Sequence, residues 1–412
     1  APSQRDPDRF LDITDDAALI ADLRKQGGTP DELFDSPELH TLQTYGGGDY
    51  KGTPEMISTL CNNAPKAVEW LADLGMKFRP SCTTVAGGLY QRSHASGGGL
   101  MGAGYIATLQ DFCTKNGVEL LMDTKAEEIL MENGRAVGVR STSGADTVIT
   151  HATKGVILAT GGFGANVAMR EKYNTLWPRM DESIPTTNAP SITGDGIVMA
   201  EAIGAKLINM EDIQCLPFGD PKDGGLGGLI IRQPESAIFV NKEGKRFVSE
   251  YERRDVMTRA LLEQTDTYMY IILDKSSYEN ADTKTSFSTT IGEEVAAGRT
   301  FMADTIEDLA KQIGLDPAVL KATVDEYNAG VDADKDAFGK NPMKRIDTAP
   351  FYANPRVPTV HHTMGGVQIT TSAEVVDANG KLIPGLFAAG EVTGGVHGTN
   401  RLGSDAIADI IV

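Results

Sequence analysis

Read as a pattern of apolar and polar positions, the chain falls into distinct textures. The first 35 residues are polar, with Pro, Asp and Gln in clusters, and hold one short predicted helix over 16–26. A helical pair follows, starting near Pro37 and Thr53. In its second member Met56, Leu60, Ala64, Val68 and Leu71 recur at helical spacing. A Gly-rich loop, RSHASGGGLMGAG at 92–104, feeds a further helix through Phe112. Strands are predicted over 118–122 and 126–130, then a turn at Asn133-Gly134 and a hairpin of 136–141 with 146–151. KGVILAT at 154–160 is a largely apolar run closing on Gly161-Gly162, as expected of a strand buried in an α/β sheet.

From about Met210 to Val360 the texture changes. Strands over 237–240 and 268–273 alternate with helices over 305–313 and 317–329. Leu309, Leu320, Val324 and Tyr327 lie on apolar stripes of these helices, the mark of core faces. The chain then closes on LFAAGEVTGGVHGTNRLGSDAIADIIV, from Leu386. A short apolar strand runs into Gly390 and an acid, Glu391. A Gly-rich loop holding Arg401 follows, and a helix starts near Ser404. Glycines admit close approach of backbone to a ligand, and a helix start offers N–H groups to an electron-rich atom. The combination has the form of a cofactor cradle with one cation, Arg401, at its mouth.

Length and composition narrow the class. A chain of 412 residues exceeds one core and predicts two lobes. Hydrophobic residues at 41% and charged residues at 23% are those of a globular protein. No apolar run reaches the roughly 18 residues of a membrane span. The formal charge of −19 argues against nucleic acid as a partner, though not against a small anionic substrate met by local cations. Cys61, Cys82, Cys113 and Cys215 form no CxxC, no CxxCH and no zinc spacing. They read as buried or free thiols, with no metal, haem or cluster site. The electron donor is then expected to be separate: a cytochrome, a flavin domain or a reduced carrier. No signal peptide is visible. The expected compartment is the periplasm or cytoplasm of a bacterium, with the acidic composition leaning toward export.

GEVTGGVHGTNRLGSDAI resembles the C-terminal flavin motif of the fumarate reductase and succinate dehydrogenase flavoprotein family. Within it the likeness points to the soluble flavocytochrome c type of fumarate reductase and to urocanate reductase. HHTMGG at 361–366, ATGGFG at 159–164, TGDG at 193–196 and FVNKEGKRFVSEYERRD at 239–255 match the same family, in family order. The resemblance implies an α/β, Rossmann-like FAD-binding domain with an inserted α+β capping, or clamp, domain. The boundaries expected are 1–210 and 361–412 for the FAD-binding domain and 211–360 for the clamp. The family opens with a strand and GxGxxG. No such opening stands in this sequence, so the first segment is expected to lack that strand.

The resemblance also implies a chemistry: reduction of the C=C bond of an α,β-unsaturated carboxylate in anaerobic respiration, with hydride from the flavin N5. Arg254, in SEYERRD, takes the place of the catalytic proton donor. A plain salt bridge with Glu250, Glu252 or Asp255 is the bland alternative. Arg253 beside it is expected to be exposed. His361 and Arg401 match the carboxylate clamp. His362, if the segment is extended, points elsewhere, and His397 has a packing or capping role. For FAD the matching positions are Ser96, Gly97, Gly98, Gly161, Gly162, Thr193, Asp195, Gly390, Glu391, Ser404, Ala406 and Ile407. Glu391 is expected at a ribityl hydroxyl and the Ala406-Ile407 backbone at the O2 edge of the ring.

The substrate end departs from fumarate reductases. Where those carry I-Q-A-H-P, this chain has Ile213-Gln214-Cys215-Leu216-Pro217, so leucine replaces histidine. The family's Thr-Glu pair is not evident in GGLGGLIIRQPE at 224–235, where Arg232 and Glu235 are candidate substitutes in the proton relay. A pocket of Leu216, Phe218, Leu229 and Ile230 disfavours a second carboxylate. It favours a monocarboxylate with a bulky tail, of the urocanate or cinnamate kind, over fumarate. Two other readings stand beside this one: a flavin dehydrogenase of the ketosteroid Δ1 type, and a truncated, flavin-free binding module.

Overall fold

A computed structural model of the chain describes residues 35–80, 82, 92–97, 102–231, 234–287, 289–341 and 343–412. The helix predicted over 16–26, and with it Gly98 and Arg232, lies outside the described residues. In chain order the main elements are helices α1 (Pro37–Gly47), α2 (Pro54–Asp73) and α3 (Gly102–Lys115), then strands β1 (Thr124–Glu132), β2 (Arg135–Ser143), β3 (Asp146–His151) and β4 (Val156–Leu158). Next come α4 (Val167–Tyr173), α5 (Asp195–Ala202), β5 (Leu207–Ile208), β6 (Ile213–Gly219), β7 (Ala237–Asn241), α6 (Arg254–Leu262) and β8 (Met269–Asp274). They continue with α7 (Ile291–Ala296), β9 (Phe301–Ala303), α8 (Ile306–Gln312), α9 (Pro317–Asp332), β10 (Phe351–Thr363), β11 (Gly366–Gln368), β12 (Glu374–Val376), β13 (Leu382–Ala388), β14 (Thr393–Gly394) and α10 (Asp405–Ile411).

The chain forms two compact units. One takes the described residues up to Leu176, Ala189–Gln214 and His362–Val412; the other takes Trp177–Asn188 and Cys215–His361.

In the first unit, β1, β2 and β3 make an antiparallel sheet. Its tight turn is Asn133-Gly134, both at positive φ, which is the backbone that Asn-Gly adopts most readily. A second sheet has the order β12-β13-β4, with β13 and β4 parallel. The stripe of α2 is turned slightly from the predicted one: Ile57, Leu60, Cys61, Ala67 and Leu71 are buried, while Met56, Ala64 and Val68 flank them.

Two strand expectations need correction. Residues 118–122 form no strand, and Val118, Leu120, Leu121 and Met122 are exposed. Among the described residues no strand pairs with them, and an apolar run alone cannot supply a ladder. The run 154–160 shortens to β4 at one end of its sheet, and Ile157 is 70% exposed rather than buried.

The second unit is organised by β10, which pairs with β8 and β9; β8 in turn pairs with β7, and β6 completes the sheet. Side chains alternate along each strand, so each face has its own core. Ile238, Val240, Tyr270, Ile272 and Ala353 pack with Leu309, Leu320, Val324 and Tyr327 of α8 and α9. Ala237, Phe239, Met269, Ile271 and Tyr352 pack with Met257 and Leu261 of α6, Ile291 of α7, and Ile230. Ile230, expected in the substrate pocket, is therefore a core residue. The apolar stripes of α8 and α9 are core faces.

Candidate active site

Within the first unit, the sheet delivers the Gly-rich turns. Parallel β4 and β13 run side by side, Leu386 opposite Val156 and Ala388 opposite Leu158. The two runs end in Gly161 (φ 73°) and Gly390 (φ 75°). Carboxyl ends of parallel strands are where α/β folds bind ligands. Positive φ suits glycine at both turns, and at Gly390 a Cβ would also lie 2.5 Å from Ile410.

Glu391 follows Gly390 directly. Its Oε1 accepts from the Thr363 N–H (2.9 Å) and hydroxyl (3.2 Å), while Oε2 lies 3.6 Å from His362 Nδ1. Burial pushes its carboxyl pKa up, against the Thr363 hydrogen bonds. Gly162 sits against the same pair: a Cβ there would meet Thr363 Oγ1 and Glu391 Oε1 at 2.0 and 2.7 Å. Thr193 Oγ1 donates to Asp195 Oδ1 (2.9 Å), and Asn166 Nδ2 holds the Thr193 carbonyl. Asp195, at the start of α5, faces outward and lies 3.4 Å from Lys125. Ser96 bridges to Phe78, and the Gly97 N–H donates to the Lys77 carbonyl.

Arg401 is buried, at 6% exposure. Nη1 donates to the Leu402 carbonyl (2.8 Å) and Nη2 to Gln214 Oε1 (3.3 Å), while Nε has no partner among the described residues. Gln214 is itself fixed, its Nε2 donating to Asn400 Oδ1 and the Arg401 carbonyl. Burial pulls the guanidinium pKa down, against the fields of Asp405, Glu391 and Asp409. Among the described residues no carboxylate stands in ion-pair contact with it.

Ser404 takes positive φ and caps α10. Its hydroxyl lies 2.5 Å from that of Ser93. The Ile407 N–H donates to the Ser404 carbonyl, which leaves Ala406 as the predicted backbone donor at this helix start. One feature of the loop escaped the sequence. Asp405 is buried, bonded to His40 Nε2 and to the Thr44 hydroxyl, both at 3.0 Å, from α1. Burial disfavours the His40 charge, but its hydrogen bonds with Asp405, which accepts, and with Cys61 outweigh that and raise its pKa to about 10. The pair is 365 positions apart in the chain, and no local pattern announces it. His397 is buried, its ring 5.7 Å from that of His362 and steeply inclined to it, with Nε2 3.6 Å from Asp409 Oδ2.

In the second unit, Arg254 opens α6 and is half-buried. Arg253, expected to be exposed, has a side chain only 13% exposed because Asp255 draws it in at 3.0 Å. Glu235 accepts from the Tyr251 hydroxyl at 2.9 Å. Leu216 is buried on β6, and Phe218 packs edge-on against Phe239. His361, near the end of β10, is half-buried with Nδ1 at 2.8 Å from Thr187 Oγ1. Its neighbour His362 points the other way along the pleat, to Glu391.

A family model described as an FAD binding domain matches residues 23–407. The chain belongs to the FAD binding domain family. NADH:acrylate oxidoreductase of Vibrio harveyi is 40% identical over 92% of this chain and 38% of its own length. Urocanate reductase of Eggerthella lenta is 38% identical over 93% of this chain and 64% of its own. Among solved structures, the open conformation of a flavocytochrome c3 fumarate reductase matches with a TM-score of 0.77 and 32% identity, covering 92% of this chain and 66% of that one. The chain thus spans less than two thirds of each of these relatives. The residues of the first unit fit the family's FAD. Glu391 offers acceptor oxygens for a hydroxyl, and the buried His397 ring nitrogens have no hydrogen bond among the described residues, with Asp409 3.6 Å from Nε2.

Proposed function

We propose that this chain is the flavin-bearing part of a reductase that saturates the C=C bond of an unsaturated monocarboxylate. The observation that carries the reading is Arg401, a buried guanidinium with an unpaired Nε and no carboxylate in contact among the described residues. A buried cation without a counter-ion is costly, and a substrate carboxylate offsets that cost through a charge-assisted fork. Arg401 binds that carboxylate, and the His361 ring adds a donor to it. Together they stabilise the negative charge that develops on the activating group. Arg254 holds the proton that goes to the α-carbon. FAD, when bound, supplies the hydride for the β-carbon. Glu391, Ala406 and the turns at Gly161 and Gly390 hold the flavin.

Leu216 supports a monocarboxylate. It is buried and apolar where fumarate reductases carry a histidine, so a second carboxylate has no donor from this position. The electron donor is a separate module or carrier, and export is the preferred compartment. The test is reoxidation of the dithionite-reduced flavin by acrylate, urocanate, cinnamate and fumarate. A monocarboxylate is expected to reoxidise it fastest, and Leu216→His to shift preference toward fumarate by about tenfold. A reduced flavin that none of the four acids reoxidises sinks the reading.

A further inference from the structure

The segment Trp177–Asn188 lies among residues of the first unit in sequence but folds with the second. It runs beside β10 with Thr186 bridging Val360 in parallel. The Thr187 N–H donates to the Val360 carbonyl and the Val360 N–H to the Pro185 carbonyl, both at 2.9 Å. Asn188 Nδ2 reaches the His361 carbonyl at 3.3 Å. This backbone frame sets the Thr187 hydroxyl 2.8 Å from His361 Nδ1.

A neutral imidazole has one N–H and one lone pair. The Thr187 hydroxyl therefore has two arrangements. If it donates to Nδ1, the ring proton is on Nε2. If it accepts from an Nδ1–H, the acceptor left for its own proton among the described residues is the Val360 carbonyl, 3.4 Å away. That oxygen already takes the Thr187 N–H and is 3.1 Å from the Thr186 hydroxyl. A 3.4 Å contact to an oxygen so engaged is weak, whereas 2.8 Å is a full-strength hydrogen bond. The first arrangement also presents a donor to a carboxylate, where the second would present a lone pair.

We propose that Thr187 is a positioning residue that fixes the tautomer and rotation of His361, so that Nε2–H is the donor offered to the substrate carboxylate. The proposal rests on the role given to His361 above. Nothing in TTNAP at 186–190 signals it, because the pairing exists only once the excursion has docked on β10.

The test uses the full, FAD-loaded chain, with ring nitrogen NMR signals of His361 assigned by their loss in His361→Gln. Wild type and Thr187→Ser are expected to show Nε2 protonated and Nδ1 accepting a hydrogen bond. Thr187→Val is expected to lose the Nδ1 hydrogen-bond shift and to raise KM for the monocarboxylate about tenfold, with a smaller change in kcat. Thr187→Ser is expected to restore KM to within about twofold of wild type. Wild type protonated at Nδ1, or ring signals that ignore Thr187→Val, overturn the proposal without reference to any substrate. Ring signals that respond while KM stays fixed show instead that His361 is not the carboxylate donor, and overturn the proposed function of that residue.

Discussion

The two units bury charge in different ways. The second buries an antiparallel sheet with an apolar core on each face, and β8 has no exposed residue. Its buried cations have carboxylates within reach: Lys340 lies 3.4 Å from Glu250, Arg246 2.8 Å from Glu250 and Arg356 3.9 Å from Asp220. In the first unit Asp405 bonds His40, but buried Arg401 has no carboxylate in ion-pair contact among the described residues. Apolar burial is proportional to area and forgiving of detail. Buried charge stabilises only where partners are placed for it, and often contributes nothing net. The cation left for a ligand therefore stands in the first unit, while those of the second are met by carboxylates of their own unit.

The sharpest way to break this contrast is Arg401→Met. If Arg401 serves a ligand, thermal stability stays level or rises, while kcat/KM for the unsaturated acid falls on the order of a hundredfold, the scale of a lost buried charge pair. A collapse in stability would make Arg401 structural and erase the contrast. Next in size is Leu320→Ala, in the core beneath α9. It should cost about 3 kcal/mol of unfolding free energy by denaturant titration and leave the flavin spectrum unchanged. A change in that spectrum would mean that the units do not hold separate roles.

The buried cations give the finest test, because they respond to pH in opposite senses. His40 keeps its proton to about pH 10 when folded and to 6.5 otherwise. Its stabilisation is full below pH 6.5 and is lost as pH rises through 10. Lys340 of the second unit is fully buried, and burial pulls its pKa from 10.5 to about 8, against the pull of Glu250. Its penalty is full below pH 8 and disappears as pH rises toward 10.5. Denaturant titrations across this range should show His40→Gln losing a downward slope and Lys340→Met losing an upward one. Slopes of the same sign would refute the pairing assigned to one of them.

The sequence is readable where structure is local. The hairpin at Asn133-Gly134, the stripes of α8 and α9, and the strand–glycine–acid order at Leu386 to Glu391 all depend on neighbours a few residues apart. What escapes is long-range. An apolar run at 118–122 says nothing of whether a partner strand exists, and the run at 154–160 does not reveal that Ile157 lies on an uncovered face. The partners of Asp405 and His361 come from α1 and from the 185–188 stretch, so no spacing rule finds them. Ile230 falls in the core rather than the expected pocket because both draw on the same apolar residues.

The path of the chain carries a practical lesson for dissection. It crosses between units at Leu176/Trp177, Asn188/Ala189, Gln214/Cys215 and His361/His362. A fragment cut as the single run 215–361 would carry the sheet but leave out the strap at Trp177–Asn188. The Val360 carbonyl would then lose its Thr187 amide, and the Val360 amide its Pro185 acceptor. Any transplant of the second unit onto another scaffold must carry two pieces of polypeptide, so four splice points rather than two must be closed in register.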